Sequence, residues 1–288
     1  LRIYIELLEL SKNSVYACDV KCINNWMKNN LDSKKKVYFD FESLNTAVRA
    51  IDDYPPFMQT VNQVSVVYDL DGDEDIKAAE SIVIDPLKGI TKQDFKDIVD
   101  RILPPCKKES FAEKKKYWSQ FKYIVYNRSF EDVRLKEMMF YINEEEYYEK
   151  ILIIKQNIVD LADLFTIVTS RDAKNFLVFK ELKGFYSIKK VLPLVEKYDR
   201  DAFTRAGCVS YKTDLNVHNG TQAQSLSTRR FFNKINSDED WVKNVEDLKK
   251  YCDNDVRAMV AVEYFVRDIV DNKVDFSKYK KQPKDLKN

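Results

Sequence analysis

The sequence predicts an α/β fold that begins with antiparallel strands and continues with helices, more of them late in the chain. Three observations carry this. Apolar, β-branched and aromatic runs at 37–44, 61–70 and 81–85 follow one another without an intervening helical pattern, which reads as an antiparallel meander. A fourth run, Tyr123-Ile124-Val125-Tyr126, comes only after helical segments. The C-terminal part is helical in period, above all over 241–268. Strands first in a meander and then separated by helices make an α/β order with an antiparallel beginning.

Residues 1–36 carry Ile23, Trp26 and Met27 at helical spacing and end in Lys34-Lys35-Lys36. They are expected to form a helical lead-in or linker. Position 1 is leucine, so a missing N-terminal region of a longer chain is expected before it. The domain proper is expected over 37–270, with a polar tail at 271–288. Within the domain, the acidic turn Asp71-Gly72-Asp73-Glu74-Asp75 separates the second and third strands. Thr91 with Asp94 marks a helix start, Phe95, Ile98, Val99 and Ile102 continue it, and Pro104-Pro105 stop it. Asn127 turns the fourth strand into a helix over 129–141. The stretch 143–170 reads as helical with a short strand near 151–154, Ser187 is expected to cap a short helix, and another helix is expected over 220–235.

Composition narrows the function classes. The 288 residues are 44% hydrophobic and 13% aromatic, enough for a sizeable core. No apolar run approaches the ~18 to 20 residues that span a bilayer, so no membrane partner is expected. The five cysteines are odd in number and scattered, which argues against a disulfide framework and for a reducing, cytoplasmic setting. A single histidine, His218, excludes sites built on two or more imidazoles. Any bound metal must therefore be held by carboxylates. Lys plus Arg is 48 against 47 for Asp plus Glu, so net charge makes no case for a polyanionic partner.

Three elements carry chemistry. In the strand Val37-Tyr38-Phe39-Asp40-Phe41-Glu42, residues two apart share a face at roughly 6.5 to 7 Å. Asp40 and Glu42 thus point one way, and Phe39 and Phe41 the other. Alternating charge also occurs on edge strands, but like charges on a buried strand repel unless a proton or hard cation neutralises them. Asn127-Arg128-Ser129-Phe130-Glu131 follows a strand directly, and Glu131 is equally suited to plain helix-start electrostatics. Tyr251 and Asp255 lie on one face of the last long helix, bordering an apolar stripe of Leu248, Cys252, Val256 and Met259. Such a pair is also ordinary on surface helices.

Taken together, strand D-x-E, strand-N-x-x-F-E-helix and Y-x-x-x-D resemble the three motifs of the DEDD exonuclease superfamily in its tyrosine branch. Asp40 and Glu42 match the first, Asn127, Phe130 and Glu131 the second, Tyr251 and Asp255 the third. Glu131 departs from the aspartate usual in the superfamily. VYFDFESLN, the Pro56–Gln63 loop, YNRSFE, GFYSIKKVLP, Asn219-Gly220 and YCDND further resemble an uncharacterised bacterial exonuclease-like domain family, often found behind a RecB-type nuclease domain. The likeness spans about residues 37 to 265, and glutamate at 131 is usual in that family.

The resemblance implies an RNase H-like mixed five-stranded sheet flanked by helices, with which the order of elements is compatible without selecting it. It also implies a 3′–5′ exonuclease acting on DNA or RNA, at a single-stranded 3′ end, with two divalent ions, Mg²⁺ or Mn²⁺. Asp40 would bridge both ions, Glu42 and Asp255 hold the water-activating one, Glu131 help position the other, and Tyr251 orient the water or phosphate. A covalently fused N-terminal nuclease domain is implied as a partner. Phe57, Met58 and Gln59 are candidates to meet the terminal base, or simply pack their own loop. Asn127 is a candidate substrate contact, as are Ser187, Lys189 and Lys190 at a helix start, where solvated lysines are equally ordinary. Arg229 and Arg230 form a weaker candidate. The competing expectation is a nuclease-like module that binds nucleic acid or a fused nuclease without cutting. A carboxylate-pair glycosidase explains neither the second nor the third motif.

Overall fold

The computed structural model describes residues 15–279 apart from 33–34, 53, 71–79, 166, 169–172 and 175, and leaves the side chains of 167, 168, 173, 174 and 278 undescribed. The acidic turn at 71–75 therefore lies outside the described residues. The central sheet has five strands: β2 (Lys36–Leu44), β3 (Thr60–Asp69), β4 (Glu80–Val83), β5 (Lys122–Val125) and β6 (Ile158–Asp160), in the order β4-β3-β2-β5-β6. β2, β3 and β4 pair antiparallel, whereas β5 and β6 join β2 in parallel. This is the expected RNase H-like mixed sheet.

Alternation along β2 sorts the two faces. Phe39 and Phe41 pack edge to face, with centroids 5.3 Å apart, in a core shared with α2 (Lys92–Ile102), α4 (Arg128–Ile142) and α5 (Glu145–Gln156). The Thr91–Asp94 capping box starts α2 as the sequence suggests, with α3 (Phe111–Trp118) following it. Tyr38, Asp40 and Glu42 take the opposite face, under α6 (Ile188–Tyr198), α7 (Arg200–Arg205), α8 (Gly220–Phe231) and the 33-residue α9 (Asp238–Val270). Leu248, Cys252, Val256 and Met259 of α9 are buried, as the stripe predicts.

Glu263 fixes α9 against β2. Its buried carboxylate accepts hydrogen bonds from Lys36 Nζ (2.6 Å) and Tyr38 Oη (2.6 Å), and from Arg267 one turn on (2.9 Å). These cations hold the Glu263 carboxyl below its ordinary range despite its burial. The clamp grips the strand just before Asp40 and the helix two turns beyond Asp255, so it sets the register between the two motifs.

One expectation needs correction. The apolar run at 151–154 is part of α5; the strand comes later, as β6. The described part of the helical lead-in expected over 1–36 packs onto the domain. β1 (Tyr16–Cys18) pairs antiparallel with β9 (Leu177–Phe179), and α1 (Val20–Asn30), capped by Asp19, buries Ile23 and Met27. Between β6 and β9 lies the two-residue pair β7 (Ile167–Val168) and β8 (Ala173–Lys174). The tail also returns to the body, since Phe276 is buried with its ring 4.3 Å from that of Tyr16. Residues 280–288 lie outside the described region.

Candidate metal centre

Asp40 and Glu42 share the β2 face toward α9, where their cross-strand neighbours Ser65 and Gln63 are also polar. The pairing shifts register between Glu42 and Ser43, so β3 carries one extra residue there, Asn62. Such a bulge bends the strand and re-aims its side chains beside a site. Asn62 Nδ2 donates to Ser227 of α8 (2.9 Å) and Gln63 Nε2 to the Leu248 carbonyl of α9 (2.8 Å), tying both helices to this end of the sheet. Cys252 lies against the Asp40 carbonyl, and Asp255, one turn along α9, reaches the same place.

Carboxylate oxygens of Asp40, Glu42 and Asp255 all lie within 4.8 Å of one another. Asp255 is buried, while Asp40 and Glu42 are partly open. Desolvation pushes the Asp40 carboxyl well above its ordinary range, and the charges of Asp255, Glu131 and Glu42 push the same way. Glu42 is raised to about 7 by burial and then by Asp255, with Lys189 and Tyr251 opposing. Glu131, buried in the first turn of α4, is raised to about 8, chiefly by burial, with Asp160 and Glu42 adding to it. It lies within electrostatic reach of Asp40 and Glu42 but outside the tight triad.

The second motif is built by a strained turn. Asn127 adopts φ 90°, in the left-handed region, and its side chain does not cap α4. Asp160 at the end of β6 does so instead, accepting from the backbone N–H of Asn127 (3.0 Å) and Arg128 (2.8 Å). Asn127 lines a cavity of about 470 Å³ with Tyr126, Asp160, Ala162, Tyr186, Ser187 and Ile188. Asn127 and Ser187 are therefore neighbours, at one cavity beside the start of α4.

Lys189 is placed differently from a solvated phosphate ligand. Its Nζ is 3.1 Å from Asp255 Oδ2 and 4.9 Å from the Tyr251 ring centre. Burial works against its charge, but Asp255, Asp40 and Glu42 together raise its pKa. Lys190 is exposed and lies over the Phe185 ring at 4.9 Å. Phe57 is 68% exposed with φ 64°, a strained backbone for an aromatic residue, while Gln59 accepts from Arg134 on α4 (2.6 Å). Met58 half-buries itself in a groove with Tyr54 and Tyr141. Arg230 is corrected as a backbone-binding candidate: it is buried and bidentate to Asp85, at 2.8 and 2.6 Å. Arg229 reaches the Lys234 carbonyl at 3.4 Å.

Two neighbours of the centre are not read from the sequence. Tyr211 donates its hydroxyl to Asp255 Oδ1. Gly220 at the start of α8 puts bare backbone against the site, since a Cβ there would stand 3.5 Å from Glu42 Oε2 and 3.7 Å from Tyr251 Oη. Gly220 belongs to the Asn219-Gly220 pair of the resemblance, whereas nothing local marks Tyr211.

The donor set fits a hard divalent ion. All candidate ligands are carboxylate oxygens, Lys189 is the cation that lies against the triad, and Glu131 Oε2 and Tyr251 Oη are buried without a hydrogen-bond partner among the described residues. A measurable consequence follows for the ion-free protein. Glu42 and Glu131 have folded pKa values raised above their ordinary ones, so the protonated folded form contributes stability that is full below about pH 4. That contribution is lost as pH rises through about 7 to 8. By differential scanning fluorimetry, Tm in EDTA is expected to fall by about 3–8 °C between pH 5.5 and 8.5. Saturating Mn²⁺ at the upper pH is expected to restore it. A flat profile would contradict this electrostatic picture.

A sheet of this order, with acidic groups gathered on its central strand and facing helix, defines an RNase H-like domain with a carboxylate centre. The chain belongs to the family described as Domain of unknown function (DUF2779), which matches residues 37–187. It is 46% identical over 239 residues to an uncharacterized protein of Ureaplasma parvum serovar 3, covering 82% of this chain and 32% of that one. Uncharacterized proteins of Mycoplasma pneumoniae (40% over 243 residues) and Mycoplasma genitalium (37% over 257 residues) cover 84% and 88% of the chain. The chain spans about a third of the length of these relatives, 32% to 35%. No solved structure matches the chain. Among the described residues no helix is long and apolar enough to cross a membrane.

Proposed function

We propose that this domain is a metal-dependent 3′–5′ exonuclease of the DEDD type, tyrosine branch, hydrolysing terminal phosphodiester bonds of DNA or RNA. The observation that carries the reading is the convergence of Asp40, Glu42 and Asp255 within 4.8 Å from motifs more than 200 positions apart. Asp40, Glu42 and Asp255 would hold one divalent ion, Mg²⁺ or Mn²⁺, and Glu131 with Asp40 a second. When bound, the ions supply positive charge against the phosphate and lower the pKa of the attacking water.

The chain's own groups do the rest. Tyr251, rigidly buried and with its hydroxyl beside Glu42, orients the water or a phosphate oxygen. Its pKa is raised above the ordinary value by burial and by Asp255, so it acts as a neutral hydrogen-bond donor and not as a base. Exposed Phe57 would offer a stacking face to a terminal base, and Asn127 and Ser187, which line one cavity, are further proposed substrate contacts together with Gln59 and Lys190. The substrate is proposed to be a single-stranded 3′ end. A nuclease domain fused before residue 1 and a cytoplasmic setting complete the reading.

One observation favours a second reading, a nuclease-like module that binds without cutting: both oxygens of Asp255 already have partners, Lys189 and Tyr211. The test is release of nucleotides from a 3′-labelled single strand, DNA or RNA, in Mg²⁺, Mn²⁺ or EDTA. Release in metal that stops in EDTA is expected. Oligonucleotide binding that ignores metal, with no release under any condition, would favour the binding module.

A further inference from the structure

We propose that Lys189 is a built-in, displaceable counter-ion of the carboxylate centre, which leaves Asp255 when a divalent ion binds and then holds an oxygen of the substrate phosphate. This rests on reading the carboxylates as a metal centre.

Geometry carries it. Lys189 Nζ stands 3.1 Å from Asp255 Oδ2, on the carboxylate that completes the triad with Asp40 and Glu42. An ammonium is a compact point charge with three donors on a flexible stem, so it can stand in for a cation and retreat without unfolding anything. Its side chain is 33% exposed, so solvent already reaches its route of exit. The other partner of Asp255, the Tyr211 hydroxyl, bonds Oδ1 and can stay in place while Oδ2 takes the ion.

The backbone under Lys189 is lightly held. Pro193 lies inside α6 and has no N–H, so the carbonyl of Lys189, four residues earlier, receives no bond from it. Ser187 occupies the N-cap position of α6 without a side-chain bond to the helix. The first turn carrying Ser187, Lys189 and Lys190 can therefore shift with its side chains more easily than a fully bonded turn. Once displaced, Lys189 remains close to the triad and next to the cavity lined by Ser187 and Asn127, where a phosphate approaching the ions would meet it.

The consequence is a competition that a merely structural lysine would not produce. In the full chain without substrate, isothermal titration calorimetry with Mn²⁺ is expected to give about tenfold tighter binding for Lys189→Met than for wild type. Lys189→Arg, which keeps a charge, is expected to stay near wild type. With a 3′-labelled strand at saturating metal, Lys189→Met is expected to raise KM. Equal or weaker Mn²⁺ binding by Lys189→Met, with wild type binding normally, overturns the counter-ion role and leaves the metal centre standing. No Mn²⁺ binding by either protein overturns the metal centre itself, and the counter-ion role with it. Should the methionine variant fail to fold, a manganese-loaded wild-type crystal decides the point. The Lys189–Asp255 contact is expected to open, and its persistence at 3.1 Å beside a bound ion overturns the role.

Discussion

Asp40→Ala is expected to cut release of 3′ nucleotides by about a thousandfold or more, without harming the fold. Asp40 is central among the acids: its charge is felt by, or feels, Asp255, Glu131 and Glu42. Its removal deprives both proposed ion positions of a ligand. The same change removes a source of repulsion in the ion-free protein, so Tm in EDTA at pH 8 is expected to stay level or rise while activity disappears. Asp40→Asn, which keeps shape and loses charge, is expected to behave alike. Opposite signs for activity and stability separate a site residue from a packing residue, which would lose both. Wild-type activity in Asp40→Ala would exclude the proposed chemistry.

The largest stability effect is expected at Glu263. Glu263→Ala leaves Lys36, itself 7% exposed, and Tyr38 without their acceptor in the interior between α9 and β2. Removing one partner of a buried pair costs about 3–5 kcal/mol, because the other charge stays behind without compensation. Lys36 keeps a weaker contact with Asp69 at 3.6 Å, which softens the loss without replacing it. Urea denaturation followed by circular dichroism is the measurement, and a loss under about 1 kcal/mol would show that the clamp is dispensable. Since the clamp sets the register of α9 on β2, residual folded Glu263→Ala is expected to bind Mn²⁺ more weakly as well, although Glu263 contacts no candidate ligand in the structure.

The sheet was largely legible because its strands carry strong local signals. Alternation in β2 and the β-branched run in β3 need no tertiary information. β6 was misplaced for a physical reason. Its three residues are too few to show a period, whereas Ile151, Ile153 and Ile154 form an apolar cluster that in fact belongs to a helix face. β1 escaped for the same reason, and its pairing with β9 joins segments about 160 residues apart, which local pattern cannot foresee.

Within the site, the motif carboxylates were legible because spacing of two in a strand and four in a helix fixes a shared face. The partners that reach them across the fold were not. Lys189 reads locally as a basic residue at a helix start, yet it points into the acids; Arg230 reads as a free cation, yet Asp85, 145 positions away, holds it. Tyr211 has no local signature at all, and only the packing of its loop against α9 brings it to Asp255.

The most direct test of the central claim is diffraction from crystals soaked in Mn²⁺, with data collected at the manganese absorption edge. An anomalous peak bound by Asp40, Glu42 and Asp255, at oxygen distances of about 2 Å, is expected, with a second near Asp40 and Glu131 when substrate is present. Crystals saturated with Mn²⁺ that show no peak at these carboxylates, with the Lys189–Asp255 pair intact, would contradict the claim.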